Sequence, residues 1–94
     1  MIIKFDIKYE RSKKKIAKKI GLVKIIDTEE LFQSNPSHPK LNLKNIICKR
    51  DKQKQSIKVI GNDGYRILLT TKDNSIYFQD IMNHDKYDRL TSNC

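Results

Sequence analysis

Residues 56–82 read SIKVIGNDGYRILLTTKDNSIYFQDIM. Three runs rich in β-branched and aromatic side chains, 56–60, 65–71 and 76–82, are separated by Gly-Asn-Asp-Gly at 61–64 and Lys-Asp-Asn-Ser at 72–75. These separators supply the turn conformations that a chain reversal needs, so the stretch predicts an antiparallel meander. Upstream, Ile46-Ile47-Cys48 is expected to add one more strand, joined through RDKQKQ at 50–55.

Side chains alternate along a strand, so loop length decides which residues share a face. A three-residue loop at Asn62-Asp63-Gly64, with Gly64 left-handed and a bulge, closes on Gly61 and Tyr65. Ile60 then faces Arg66, and Lys58 lies diagonally from Arg66 on the same side. A two-residue loop at Asp73-Asn74 sets Leu68 opposite Gln79 and Arg66 opposite Ile81. One face collects Lys58, Arg66, Thr70, Tyr77 and Gln79. The other collects Ile57, Val59, Tyr65, Ile67, Leu69, Ile76, Phe78 and Met82, the apolar set for helices to cover; Asp80 also falls there, without a partner in view.

Earlier in the chain, residues 2–8 alternate as a half-buried strand. In ERSKKKIAKKI (10–20), Ile16, Ala17 and Ile20 form a helical stripe, Gly21 is placed to end the helix, and Lys13, Lys14, Lys15, Lys18 and Lys19 form its other face. LVKII at 22–26 fits either a short strand or a helical turn. Asp27 with Glu30 has the form of a helix N-cap, opening a short helix through Leu31 and Phe32 that stops before Asn35-Pro36. SNPSHPK at 34–40 is a loop holding both prolines. These elements predict an α+β fold, with an amino-terminal strand and two short helices on one face of a twisted, mostly antiparallel sheet of four to five strands.

Ninety-four residues make one domain. Twenty Lys+Arg against eleven Asp+Glu leave a formal charge of +9, a field that gathers polyanions, so nucleic acid or an acidic protein is the expected partner. An AT-rich coding sequence also enriches lysine, and charge alone does not choose a function. With no long apolar run and a charged amino terminus, the chain is expected in the cytoplasm. Cys48 reads as a strand residue and Cys94 as an incidental terminal one, with neither a zinc site nor a disulfide scaffold expected.

IKVIGNDGYRILL (57–69), followed by IYFQDIMNHDKYDRL (76–90), resembles the HigB family of ribosome-dependent messenger-RNA interferases, within the RelE/ParE toxin superfamily. That family shows a Gly-Asn turn with Arg opening the next strand, matched by Gly61, Asn62, Tyr65 and Arg66. It also shows a His-x-x-Tyr-Asp motif after the last strand, matched by His84, Tyr87 and Asp88. The resemblance covers the last third of the chain. It departs in a turn one residue longer and in Asn83, where a Thr is usual.

The resemblance implies a RelE-like fold and a toxin of a type II toxin-antitoxin system, an endoribonuclease that inhibits translation by cutting messenger RNA on the ribosome. It implies metal-independent attack of a ribose 2′-hydroxyl on the adjacent phosphate, with no cofactor. Such chemistry needs a proton acceptor, cations for the phosphoryl oxygens and a donor for the leaving oxygen. Arg66 suits the phosphate, because a planar guanidinium holds two oxygens at once; Lys58 adds a second cation. His84 exchanges protons near neutral pH, and Tyr87 stacks on a base or relays a proton. Which of these two is acid and which base stays open, and Asp88 orients His84 or Arg89 or caps the terminal turn.

Lys86, Arg89, Tyr77, Gln79, Lys49 and Arg50 are the expected RNA contacts, since a basic, aromatic face suits a bent single strand. Ribosomal RNA of both subunits (16S and 23S) and an acidic helix-turn-helix antitoxin of the HigA kind are the implied partners. The alternatives are a ParE-like gyrase inhibitor and a basic RNA-binding module without catalysis.

Overall fold

The amino-terminal alternation makes a strand only as far as Phe5. In the computed structural model, which describes residues 2–92 with the side chain of Asp63 excepted, strand β1 (Ile2–Phe5) is followed at once by helix α1 (Ile7–Ile20). The backbone N–H of Asp6 still donates to the Phe78 carbonyl at 3.0 Å before the chain turns into the helix. Gly21, at φ 90°, ends α1 and opens α2 (Leu22–Ser34). The ambiguous 22–26 stretch is therefore helical, and Asp27 lies inside α2 rather than capping a helix of its own. A short 3₁₀ turn (Pro39–Leu41) leads to β2 (Lys44–Asn45), β3 (Gln55–Val59), β4 (Asn62–Lys72), β5 (Ser75–Asn83) and α3 (His84–Ser92).

The five strands form one sheet in the order β1-β5-β4-β3-β2, with β1 parallel to β5 and the other neighbours antiparallel. This is the predicted architecture with one helix more. Among the described residues, no helix is long and apolar enough to cross a membrane.

The main core lies between the sheet and the first two helices. Tyr9, Ile25 and Phe32 meet Ile57, Val59, Ile67, Leu69, Ile76, Phe78 and Ile81 there. Phe78 takes edge-on contacts from Phe5, Tyr9 and Phe32 at 5.3, 5.4 and 5.5 Å between ring centres. Each such pair adds about 0.5–1.5 kcal/mol beyond the apolar area it buries. The Tyr9 hydroxyl donates to Glu29 at 2.6 Å, and Glu29 also pairs with Lys13 at 3.0 Å. Lys13 is thus drawn out of the solvated lysine face of α1. Thr28 fastens α2 to the sheet: its Oγ1 accepts the Ile60 N–H at 2.9 Å and donates to the Lys24 carbonyl at 2.7 Å.

Both hairpins depart from the expected register, and the departures set the site. The β3–β4 reversal occurs at Ile60-Gly61, where Gly61 has φ 77° and Val59 pairs with Asn62. Gly61, not Gly64, takes the left-handed conformation. The slack falls within β4, where the Asn62 Oδ1 accepts the Gly64 N–H at 3.2 Å. Lys58 consequently pairs directly with Arg66 rather than diagonally. The β4–β5 turn is the expected two-residue one, with Asp73 and Asn74 at φ 52° and 64°. A bulge then separates Leu69↔Phe78 from Leu68↔Asp80, so Arg66 opposes Met82 instead of Ile81. An inserted residue reverses every later side chain: Ile81 turns into the main core, and Met82 turns away from it.

The second face is not bare. Ile46, Cys48, Leu68 and Met82 form a small second core with Tyr87 of α3 packed against it. Cys48 lies in irregular chain after β2 rather than in a strand. It is also not a free thiol, contrary to expectation; Cys94 lies outside the described residues.

Candidate functional site

Asn83 ends β5 and caps α3, its Oδ1 accepting the Lys86 N–H at 2.9 Å. Asparagine serves this purpose as well as the threonine expected there. The His-x-x-Tyr-Asp motif therefore opens a helix, and its 3.6-residue period puts His84, Tyr87 and Asp88 on one stripe. His84 Nδ1 lies 3.1 Å from a carboxylate oxygen of Asp88, with both side chains about half exposed. A carboxylate on Nδ1 orients the ring and leaves Nε2 as the nitrogen for proton exchange. Of the two partners considered for Asp88, His84 is within ion-pair distance. The His84 and Tyr87 rings are 6.4 Å apart and tilted by 44°.

Tyr87 is held at both ends. Its hydroxyl shares a 2.8 Å hydrogen bond with the Ser56 hydroxyl, and the Arg66 guanidinium lies 5.9 Å from its ring centre. Arg66 Nη1 also donates to the Tyr65 carbonyl at 3.1 Å, a second hold on the guanidinium. Of the four proposed catalytic residues, Arg66, His84 and Tyr87 form a contiguous half-exposed group. Lys58 sits beside them as the cross-strand partner of Arg66 and also lines a separate basic concavity with Lys24 and Lys40. Ser56, buried and two residues before Lys58, was not anticipated. Its place on the Lys58 side of β3 was legible, but a partner from α3 was not, because α3 itself was unforeseen.

The RNA-contact residues divide. Gln79, at the β5 bulge, accepts from Lys54 Nζ at 2.9 Å, and Arg50 lines the same concavity of about 580 Å³. Lys49 is exposed in the same segment. Tyr77 stands apart, paired across the strand with Thr70 and overhung by Lys4 Nζ at 5.6 Å. Thr70 is four residues beyond Arg66, about 13 Å along the strand. Lys86 and Arg89 are exposed on α3, off the His84–Tyr87–Asp88 stripe.

Asp80 now has an explanation. Because β1 ends opposite Phe78, the next residues of β5 meet the start of α1. There Asp80 Oδ1 accepts Ser12 Oγ at 2.6 Å and the Ile81 N–H at 2.9 Å, and Lys8 Nζ lies 3.4 Å from Oδ2.

No protein-family profile matches the chain, and neither does any curated protein. Solved structures do. YafQ from Escherichia coli strain BL21(DE3) superposes with a TM-score of 0.71 at 13% identity, over 90% of this chain and 94% of that one. RelE, in the RelB-RelE antitoxin-toxin complex from Methanococcus jannaschii, gives 0.56 at 22% over 93% and 96%. HP0892 from Helicobacter pylori gives 0.58 at 17% over 93% and 98%. YafQ has also been solved in a toxin-antitoxin complex with DinJ. The five-stranded mixed sheet with its three helices is the RelE-like fold.

Proposed function

We propose that the chain is the toxin of a toxin-antitoxin pair, a single catalytic domain of the HigB kind that cuts messenger RNA on the ribosome in the cytoplasm. The observation that carries this reading is the Arg66 guanidinium over the Tyr87 ring, with His84 and its Asp88 partner beside it. YafQ and RelE, with which the chain shares its fold, are both toxins solved with antitoxins. The His-x-x-Tyr-Asp motif supports the assignment within that class.

In the proposed reaction, the 2′-oxygen bonds to phosphorus as the bond to the 5′-oxygen breaks. A 2′,3′-cyclic phosphate and a 5′-hydroxyl result. One of His84 and Tyr87 takes the 2′-proton and the other protonates the leaving oxygen. Arg66, with Lys58 alongside, holds the phosphoryl oxygens as charge builds on them. Lys49, Arg50, Gln79 and Tyr77 extend the contact along the strand, and Lys86 and Arg89 face the ribosomal RNA. An acidic, helix-turn-helix antitoxin of the HigA kind is the proposed silencing partner for a body of charge +9.

Adding the protein to a cell-free translation reaction is expected to give cuts in the message at the ribosomal A site, and Arg66→Ala is expected to abolish them. Intact message with cleaved DNA–gyrase complexes would instead identify a gyrase inhibitor. Intact message and intact DNA would leave a binding module.

A further inference from the structure

A buried carboxylate oxygen is costly to leave without a hydrogen bond. Asp80 is almost wholly buried, yet only its Oδ1 is satisfied; Oδ2 has no hydrogen-bond partner. The nearby Lys8 ammonium is 3.4 Å away on a side chain that is 71% exposed. The clamp between β5 and α1 is complete through Oδ1 alone, so Oδ2 is spare as far as the fold is concerned. Asp80 lines the concavity of about 580 Å³, whose other walls include Leu68, Leu90, Gln79 and Lys54. Such a space admits a nucleotide, and its lining sets the two leucines among charged groups of both signs, Asp6, Asp51 and Asp80 with Lys8, Arg50 and Lys54.

We propose that this concavity is a nucleobase pocket, in which Asp80 accepts a hydrogen bond from the amino group of a base next to the scissile phosphate. The inference rests on the proposed RNA-cleaving reading and adds a specificity determinant to it. Three features point to a base. The acceptor is a carboxylate, the group that takes a hydrogen bond from an exocyclic amine. Leu68 and Leu90 offer apolar surface for the faces of the ring. The location also fits, since Leu68 is two residues from Arg66 on the same side of β4, about 7 Å away. A base entering the pocket displaces the loosely held Lys8 ammonium and gives Oδ2 the hydrogen bond it lacks. Gln79, held by Lys54, presents its amide to the rest of the base edge. Uracil, which carries a carbonyl where cytosine carries the amine, is disfavoured.

The test uses 2′-O-methyl RNA pentamers, which cannot undergo 2′-hydroxyl attack, with binding read by fluorescence anisotropy without ribosomes. A uridine pentamer with one central cytidine is expected to bind at least about fivefold more tightly than the all-uridine pentamer. Asp80→Asn is expected to erase that preference without weakening all-uridine binding, and Lys8→Ala to keep or enlarge it. Should Asp80→Asn not fold, the wild-type protein decides by NMR. CMP is then expected to shift the Gln79 side-chain amide and the backbone amides of Leu68 and Leu90 more than UMP does. Equal affinities for the two pentamers, or shifts confined to other residues, overturn the base pocket and leave the proposed function standing. Failure of every pentamer to bind likewise overturns the base pocket, whereas the proposed function falls only if the message stays intact in the translation reaction.

Discussion

At the scale of single residues, the candidate site depends on groups that immobilise one another. Arg66 is aligned by the Tyr87 ring, Tyr87 by Ser56, and His84 by Asp88. Arg66→Lys keeps the charge but loses the planar fork, so we expect it to behave nearly like Arg66→Ala in cleavage assays. Lys58→Ala and His84→Ala are each expected to slow single-turnover cleavage at least about tenfold, about 1.4 kcal/mol of barrier. Wild-type rates would remove these residues from the mechanism. Away from the site, burial and the adjacent Glu29 hold the Tyr9 phenol protonated far above its ordinary range. Its folded-state pKa is raised, so its stabilising contribution is complete below the unfolded tyrosine range and is lost as pH climbs above it. Denaturant midpoints should therefore show wild type losing stability relative to Tyr9→Phe by up to about 1.4 kcal/mol per pH unit above about pH 10. Parallel profiles for the two proteins would contradict this.

At the scale of elements, two registers decide which side chains become neighbours. The Ile60-Gly61 reversal sets Lys58 directly across from Arg66, and it needs Gly61 in the left-handed region while Gly64 is ordinary extended chain. Gly61→Ala and Gly21→Ala are each expected to cost about 1–3 kcal/mol in urea unfolding, because both residues have positive φ. Gly64→Ala should cost clearly less, as an added Cβ meets only the Asn62 Oδ1 at 3.3 Å. Equal losses at Gly61 and Gly64 would return the turn to 62–64. The meander and the placing of Lys58 and Arg66 on one side were legible; their direct pairing, in place of the expected diagonal, was not, because loop length decides the register. The exchange of Ile81 for Met82 was not. A bulge at Gln79 leaves no mark in composition; it falls just past the end of β1, where Ser12 of α1 meets Asp80. Nor was α3 foreseen: among its apolar residues, only Tyr87 packs on the second core, too little for a helical stripe to stand out.

At the scale of the whole molecule, the charge of +9 is divided between two sides of one sheet. Lys14, Lys15, Lys18 and Lys19 are exposed on α1, on the side of the main core, whereas Arg66, Lys49, Arg50 and Lys54 belong to the α3 side. If single-stranded RNA lies on the α3 side, only cations there release counterions when it binds, and the salt dependence reports their number rather than the net charge. Replacing the four α1 lysines by glutamine lowers the formal charge from +9 to +5. It is nonetheless expected to leave the slope of log affinity against log salt almost unchanged for a short RNA. Replacing Lys49, Arg50 and Lys54 removes one charge fewer, yet it is expected to reduce that slope by about two, at roughly 0.7 for each single-strand phosphate left without its cation. Titrations at several salt concentrations separate the two outcomes. A larger fall in slope from the α1 set would move the RNA to the helical side and away from Arg66.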